Sequence, residues 1–186
     1  MKGNATMKEE KLKCKDIPSK FEWGSLGDID EGRGTLGQEM PVIVYRLFQY
    51  TLKDVLNREF DKEYAADIFR EAGHLAGTGF AKNVLDLSGD FDFFITNLQR
   101  SLKELKIGIL RIEKADMDTF KFTLTVSEDL DCSGLPVTDE TVCDYDEGFI
   151  AGILEAYTGK PFEVKEVDCW ANGDRTCRFS ADIIND

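Results

Sequence analysis

Glu166-Val-Asp-Cys169-Trp-Ala-Asn-Gly173-Asp-Arg-Thr-Cys177-Arg-Phe179 sets two cysteines on either side of an Asn-Gly turn. Residues 162–170 and 175–183 read as two strands joined around Asn172-Gly173. If the loop is Asn172 to Asp174, Cys169 and Cys177 oppose each other with Cβ atoms about 5 Å apart. Two thiolates so placed can share one tetrahedral ion. Zinc takes four ligands at about 2.0–2.3 Å, so two places remain. Residue types able to fill them are Glu166, Asp168, Cys143, Cys132 and the lone His74. Cys143 opens a short helix that must pack near the hairpin, and C-x22-E-x2-C-x7-C describes one possible set. Strict alternation would put Glu166 and Cys169 on opposite faces, so that set requires a bulge or twist in the strand. On these residues alone, two buried structural thiols stand as an equal alternative.

Working outward, Pro41 to Leu56 predicts a core helix, with Val44, Leu47, Phe48, Leu52 and Val55 at near-helical spacing and Pro41 in its first turn. A second helix is predicted from about Lys62 to Leu85, where Gly73 and Gly77 stand four apart and allow close helix packing. Phe91 to Leu105 predicts a third. The period then changes to two through Ile107, Ile109 and Ile112, and through Phe120, Phe122, Leu124 and Val126, which predicts an antiparallel hairpin. A polar loop, Glu128 to Thr141, leads into a short helix from about Asp144 to Tyr157 that Gly159-Lys-Pro161 terminates. The expected fold class is therefore α+β, an antiparallel sheet of about four to five strands packed against helices. Residues 1–37 form a polar tail and a Gly-rich arm, and residues 38–186 a single ligand-binding domain.

Composition narrows the function. Hydrophobic residues make up 42% and Phe occurs 13 times, enough for a core and an apolar pocket besides. The formal charge of -13 repels phosphate backbones and disfavours nucleic acid. The Lys-rich start carries no apolar run behind it, so neither a secretory signal nor a membrane anchor is expected, and the cytoplasm is the expected compartment. Five cysteines in a reducing compartment favour thiols or metal ligands over disulfides. There is no Ser-His-Asp set, phosphate loop or Rossmann fingerprint, which points to a binding module rather than an enzyme.

The run Cys143-Asp-Tyr-Asp-Glu-Gly-Phe149-Ile-Ala-Gly152, then Glu166-x-x-Cys169, then Gly173-Asp-x-x-Cys177-x-Phe179 resembles the 4-vinyl reductase-type, or hydrocarbon-binding, domain. That family includes the sensing modules of phenol- and xylene-responsive activators. Its fold is related to trafficking-complex subunits and haem nitric-oxide-binding domains. The resemblance covers about residues 40 to 182. It implies a homodimer, a small apolar pocket and a structural zinc ion stapling the C-terminal hairpin. The family's three-Cys, one-Glu set carries over to Cys143, Cys169, Cys177 and Glu166. With four protein ligands, such a zinc keeps no open position for substrate. Phenol sensors hold the ligand hydroxyl with a His and Trp pair, where the corresponding strand here offers Phe120 and Phe122. A less polar ligand is implied.

The expected function is thus that of a zinc-containing sensor or carrier of a small hydrophobic molecule, aromatic ones included, passing its signal to a separate protein. The alternatives are an accessory subunit of a tetrapyrrole vinyl reductase and a dimeric scaffold like the trafficking-complex subunits. Pocket candidates are Phe94, Phe120, Phe122, Phe149, Ile153 and Val164, each of which could equally pack the core. His74 lacks the Tyr-x-Ser-x-Arg signature of haem sensors and reads as an ordinary histidine. Cys132 reads as an unreactive loop thiol, with a spare thiol near the site, a redox switch or lipid attachment as rivals. The acidic run Asp144, Asp146 and Glu147, with acid/base chemistry or a second cation as rivals, is explained by the dipole of the helix it opens.

Overall fold

Asp61 and Asp90 each accept a backbone N–H three residues on, at 2.8 and 2.9 Å, and so start the two helices that follow them. The computed structural model describes residues 18–184. Most of the expected polar tail, with Cys14, lies outside the described residues. In chain order the helices are α1 (Ile29–Gly32), α2 (Val42–Glu59), α3 (Lys62–Val84), α4 (Phe91–Glu104) and α5 (Asp144–Thr158). The strands are β1 (Ile109–Asp116), β2 (Lys121–Ser127), β3 (Phe162–Asp168) and β4 (Cys177–Ile183). The α+β class holds, with four strands. They are antiparallel throughout and ordered β1-β2-β4-β3.

The sheet buries one face. Phe122, Leu124, Val126, Phe162, Val164, Phe179 and Ala181 turn inward and pack with Phe94, Leu98 and Leu102 of α4 and Ile153 and Leu154 of α5. α5 packs against both β3 and α3. The contact with α3 is made by glycines on both helices. A methyl group at Gly73 or Gly77 would collide with the backbone of Tyr145 or Phe149, and one at Gly148 or Gly152 with that of Arg70 or of His74 and Thr78. The close packing expected of Gly73 and Gly77 is thereby explained: two small-residue rows let the backbones meet. Gly159, with φ 71°, closes α5 in the left-handed conformation.

The arm forms a 3-10 turn, Trp23–Leu26, and the one-turn helix α1. Phe21 and Trp23 lie against Gly79 of α3. One expectation is corrected: α2 is not a core helix. Its apolar stripe is exposed: Leu47 is 64% and Phe48 68% accessible, with Val44, Leu52 and Val55 also exposed. The inward face is polar because its side chains have polar partners. Tyr45 and Gln49 donate to the Asp131 carboxylate at 2.8 and 2.6 Å. Arg46 donates to the Leu130 carbonyl at 2.7 Å and the Ser133 carbonyl at 2.9 Å, and Tyr50 to the Asp131 carbonyl at 3.1 Å. Periodicity locates an apolar stripe without saying what covers it.

Candidate metal centre and adjoining cavity

The predicted bulge is present. β3 pairs with β4 through Glu166↔Phe179, then slips by one residue to Asp168↔Arg178. The slip lets Glu166 and Cys169 face the same interior despite their spacing. The chain then leaves the strand, and Cys169 caps a 3-10 turn, Trp170–Asn172, with Asn172 Oδ1 accepting from the Cys169 N–H at 3.1 Å. Gly173 turns the chain back at φ 106°, a conformation that suits glycine.

Cys132, Cys143, Cys169 and Cys177 converge as free thiols, each no more than 1% exposed. Their sulfurs all lie within 4.8 Å of one another. Cys143 Sγ is 3.9 Å from both Cys169 and Cys177, and Cys132 Sγ is 3.0 Å from Cys177. Bonds of about 2.3 Å in a tetrahedron give sulfurs roughly 3.8 Å apart; the Cys143 separations match this, and Cys132 and Cys177 would have to part for all four to hold one thiophilic ion. Hydrogen bonds from Cys132, Cys143 and Cys177 pull the Cys169 thiol down, while contact with Cys132 pushes Cys143 and Cys177 up. A cation bound by the four sulfurs would take the place of the thiol protons.

Three of the four expected ligands come together, and Cys132 stands with them. Glu166 is not in that group of four. Its Oε2 accepts the Cys143 N–H at 3.1 Å, and its Oε1 meets no partner among the described residues. Burial, helped by the Cys169 sulfur, pushes its carboxyl up to about 8. Cys132 belongs to an ordered turn in which Asp129 Oδ1 accepts the N–H groups of Asp131 and Cys132 at 2.8 and 3.1 Å. With α2 gripping Asp131, the turn holds its thiol inward. The Asp-x-Asp-Cys pattern was the one available signal of such a turn. His74 pairs with Glu155 at 2.8 Å and takes no part.

The acids at the start of α5 do more than meet the helix dipole. Arg70 of α3 donates to Glu147 at 2.5 Å and to Asp144 at 3.0 Å, and Lys53 of α2 reaches Asp144 at 2.8 Å. Glu147 in turn accepts the Glu166 N–H at 2.8 Å. The helix layer is thereby tied to the bulge beside the thiols.

A cavity of about 40 Å³ lies between α4, the sheet and α5. Phe122, Phe149 and Ile153 line it, with Phe91, Ile95 and Leu98 among the other apolar walls. Phe94, Phe120 and Val164 do not. Phe94 is stacked on Tyr157 with centroids 4.0 Å apart, Phe120 sits in the β1–β2 turn at φ 52° under Lys160, and Val164 pairs with Ala181. Asp129 and Asp146 also border this cavity, and neither stands among the expected pocket residues.

Comparison with known proteins follows the same lines. Two uncharacterized proteins of Methanocaldococcus jannaschii are similar: one is 28% identical over 107 residues, the other 31% over 88. These matches cover 58% and 47% of this chain, and 61% and 52% of the relatives, so the chain spans little more than half their length. Among solved structures, a vinyl-4-reductase family protein of M. jannaschii aligns with a TM-score of 0.59 at 18% identity, covering 90% of this chain and all of that one. The phenol-responsive sensory domain of the activator PoxR aligns at 0.61 and 19%, covering 79% and 78%. A trafficking protein particle complex subunit 3 of Naegleria fowleri, covalently bound to palmitic acid, aligns at 0.62 and 11%, covering 77% and 95%. At these identities the likeness is one of fold. The resemblance read from the cysteine spacing stands where those residues lie: residues 122–183, holding Cys132, Cys143, Glu166, Cys169 and Cys177, match the 4-vinyl reductase (V-4-R) domain.

Proposed function

We propose that this chain is a small-molecule-binding sensor or carrier module whose hydrophobic ligand occupies the cavity between α4, the sheet and α5. The observation that carries the reading is an apolar cavity whose wall, α5, begins at the thiol cluster. Ligand entry and the order of that helix are then linked. At about 40 Å³ the space is well below the ~300 Å³ or more of common ligand sites, so a ligand enlarges it by displacing Phe91, Phe149 and Ile150, which are only partly buried. The narrowness favours a slender molecule over a tetrapyrrole. Related sensory and lipid-bearing folds support the same reading by analogy.

Within this reading one structural zinc ion is held by the four-cysteine group, with Glu166 beside it as the alternative fourth ligand to Cys132. Zinc suits four buried thiols with no redox demand. The signal passes to a separate protein, and the compartment is the cytoplasm. Among the described residues no helix is long and apolar enough to cross a membrane.

The working unit in this reading is a homodimer in which a second copy covers α2. Leu47, Phe48 and Val44 form an apolar stripe whose opposite face is pinned by hydrogen bonds, so this stripe cannot turn inward. Phe48→Asp is expected to convert the dimer to a monomer in light scattering without loss of metal. A wild type that is monomeric at tens of micromolar would sink the dimer. Native mass spectrometry with elemental analysis tests the whole proposal. One zinc per chain and a small apolar adduct on a dimer is the expected result. A protein that holds neither metal nor any added apolar probe would overturn it.

A further inference from the structure

The cavity is apolar along most of its wall and acidic at one place. Asp129 and Asp146 border it, and one oxygen of each, together with Cys143 Sγ, falls within a 4.8 Å group. Asp129 is spoken for, because its Oδ1 caps the turn that carries Cys132. Asp146 is not: its Oδ2 is buried and meets no hydrogen-bond partner among the described residues. Its two acidic neighbours on α5, Asp144 and Glu147, are each paired with Arg70, and Asp144 also with Lys53. The groups that face Asp146, namely Asp129, Asp131, Glu166 and the Cys177 thiol, are acidic rather than basic. A buried carboxyl oxygen left unmatched costs on the order of several hydrogen-bond equivalents of desolvation. Placed on the wall of a ligand cavity, it is an acceptor waiting for a donor.

We infer that the ligand is amphiphilic, a slender apolar chain or small ring ending in a hydrogen-bond-donating amine that meets Asp146, with Asp129 beside it. The inference rests on the cavity being the ligand site and adds the polarity of the ligand's head. A donor satisfies Asp146 Oδ2, and a positive one favours the ionised form of that carboxyl, which strengthens the hydrogen bond. A carboxylate head of the same length would add one more negative charge. The apolar part runs toward Phe91, Phe122 and Phe149, where the wall offers only hydrocarbon.

The test is a series with a common chain, n-hexylamine, n-hexanol and n-hexanoate, bound to the purified metal-containing protein and followed by calorimetry or by ligand-observed NMR. Hexylamine is expected to bind at least about tenfold more tightly than hexanoate, with hexanol between, as a hydrogen bond to a charged group is worth about that factor. In Asp146→Asn the amine's advantage over the alcohol is expected to shrink to about twofold, while the alcohol still binds. The wild-type series stands without the variant, so a misfolded Asp146→Asn does not blunt the test. Hexanoate binding as well as hexylamine would overturn the head-group inference while leaving the cavity as the ligand site. No member binding at all would overturn both. A second metal ion per chain that disappears in Asp146→Asn, with no preference for the amine, would assign the orphan oxygen to a cation instead and also overturn it.

Discussion

Cys169→Ser is expected to abolish binding of the proposed zinc ion and lower the melting temperature by about 10 °C or more. The physical case is that all four thiols come from different parts of the chain: Cys132 from the polar loop, Cys143 from the cap of α5, Cys169 from the 3-10 turn and Cys177 from the first residue of β4. An ion bonded to all four cross-links these segments in the folded state only, so its binding free energy is folding free energy. Loss of one soft ligand from a buried site leaves the rest either as packed thiols or as a three-donor site of low affinity. A cost of about 3–5 kcal/mol corresponds, for a chain of this size, to roughly 10–15 °C. Differential scanning fluorimetry with and without a chelator, paired with metal analysis, reads it directly. The chelated wild type should fall to nearly the variant's temperature. If the two proteins melt together, before and after chelation, the staple is not a metal. The same experiment on Cys132→Ser and Glu166→Gln decides the fourth ligand. The variant that matches Cys169→Ser in metal loss names it, and the other should keep its metal and lose at most about 1–2 kcal/mol.

These variants also mark where sequence reading reached and where it stopped. Cys169 and Cys177, flanking one hairpin, and Cys143, capping the preceding helix, stood as candidates from local spacing, and the family resemblance carried them over as one set. The objection that alternation should separate Glu166 from Cys169 was equally legible, and so was its remedy, a bulge, which appears between Glu166 and Asp168. Cys132 was not. Its position depends on Tyr45, Arg46, Gln49 and Tyr50, more than 80 residues earlier, gripping the loop from α2. Spacing within a motif cannot carry that. For the same reason the apolar stripe of α2 was assigned to the core: the strength of an amphipathic pattern says that a face will be covered, whereas the polar partners decide which face points inward. Asp146 was hidden differently. It sits between Asp144 and Glu147, which have basic partners, and three neighbouring acids at a helix start look alike until their partners are known. Pocket residues on regular strands fared better than those in turns, as Phe122 keeps the alternation of β2 and Phe120 leaves it.

Gly148→Val is expected to be the most damaging single change outside the thiols, preventing the native packing of α3 on α5. A Cβ built at Gly148 falls on the backbone of Arg70, and those at Gly73 and Gly77 fall on the backbone of α5, so no side-chain rotamer can relieve the clash. The helices must move apart. Overpacking of a core costs typically 1–3 kcal/mol when neighbouring side chains can yield. Here the neighbour is main chain, and separation also stretches the Arg70 to Glu147 contact and the Glu147 link to the Glu166 N–H. The expected loss is therefore at or above the top of that range for Gly148→Ala, about 3 kcal/mol, and larger for Val. Urea unfolding of both variants measures it, with Gly24→Ala as the reference: a methyl at Gly24 meets nothing within 4 Å, so that change should stay within about 0.5 kcal/mol. Because Glu147 ties α5 to the bulge beside the thiols, Gly148→Ala should also weaken metal retention against a chelator, though none of the sulfurs is touched. If Gly148→Ala lost stability but held its metal as firmly as the wild type, the thiol cluster would be mechanically independent of α3. The Arg70–Glu147–Glu166 chain would then be only a fastening of the helix, with no bearing on how the cavity and the metal centre respond to one another.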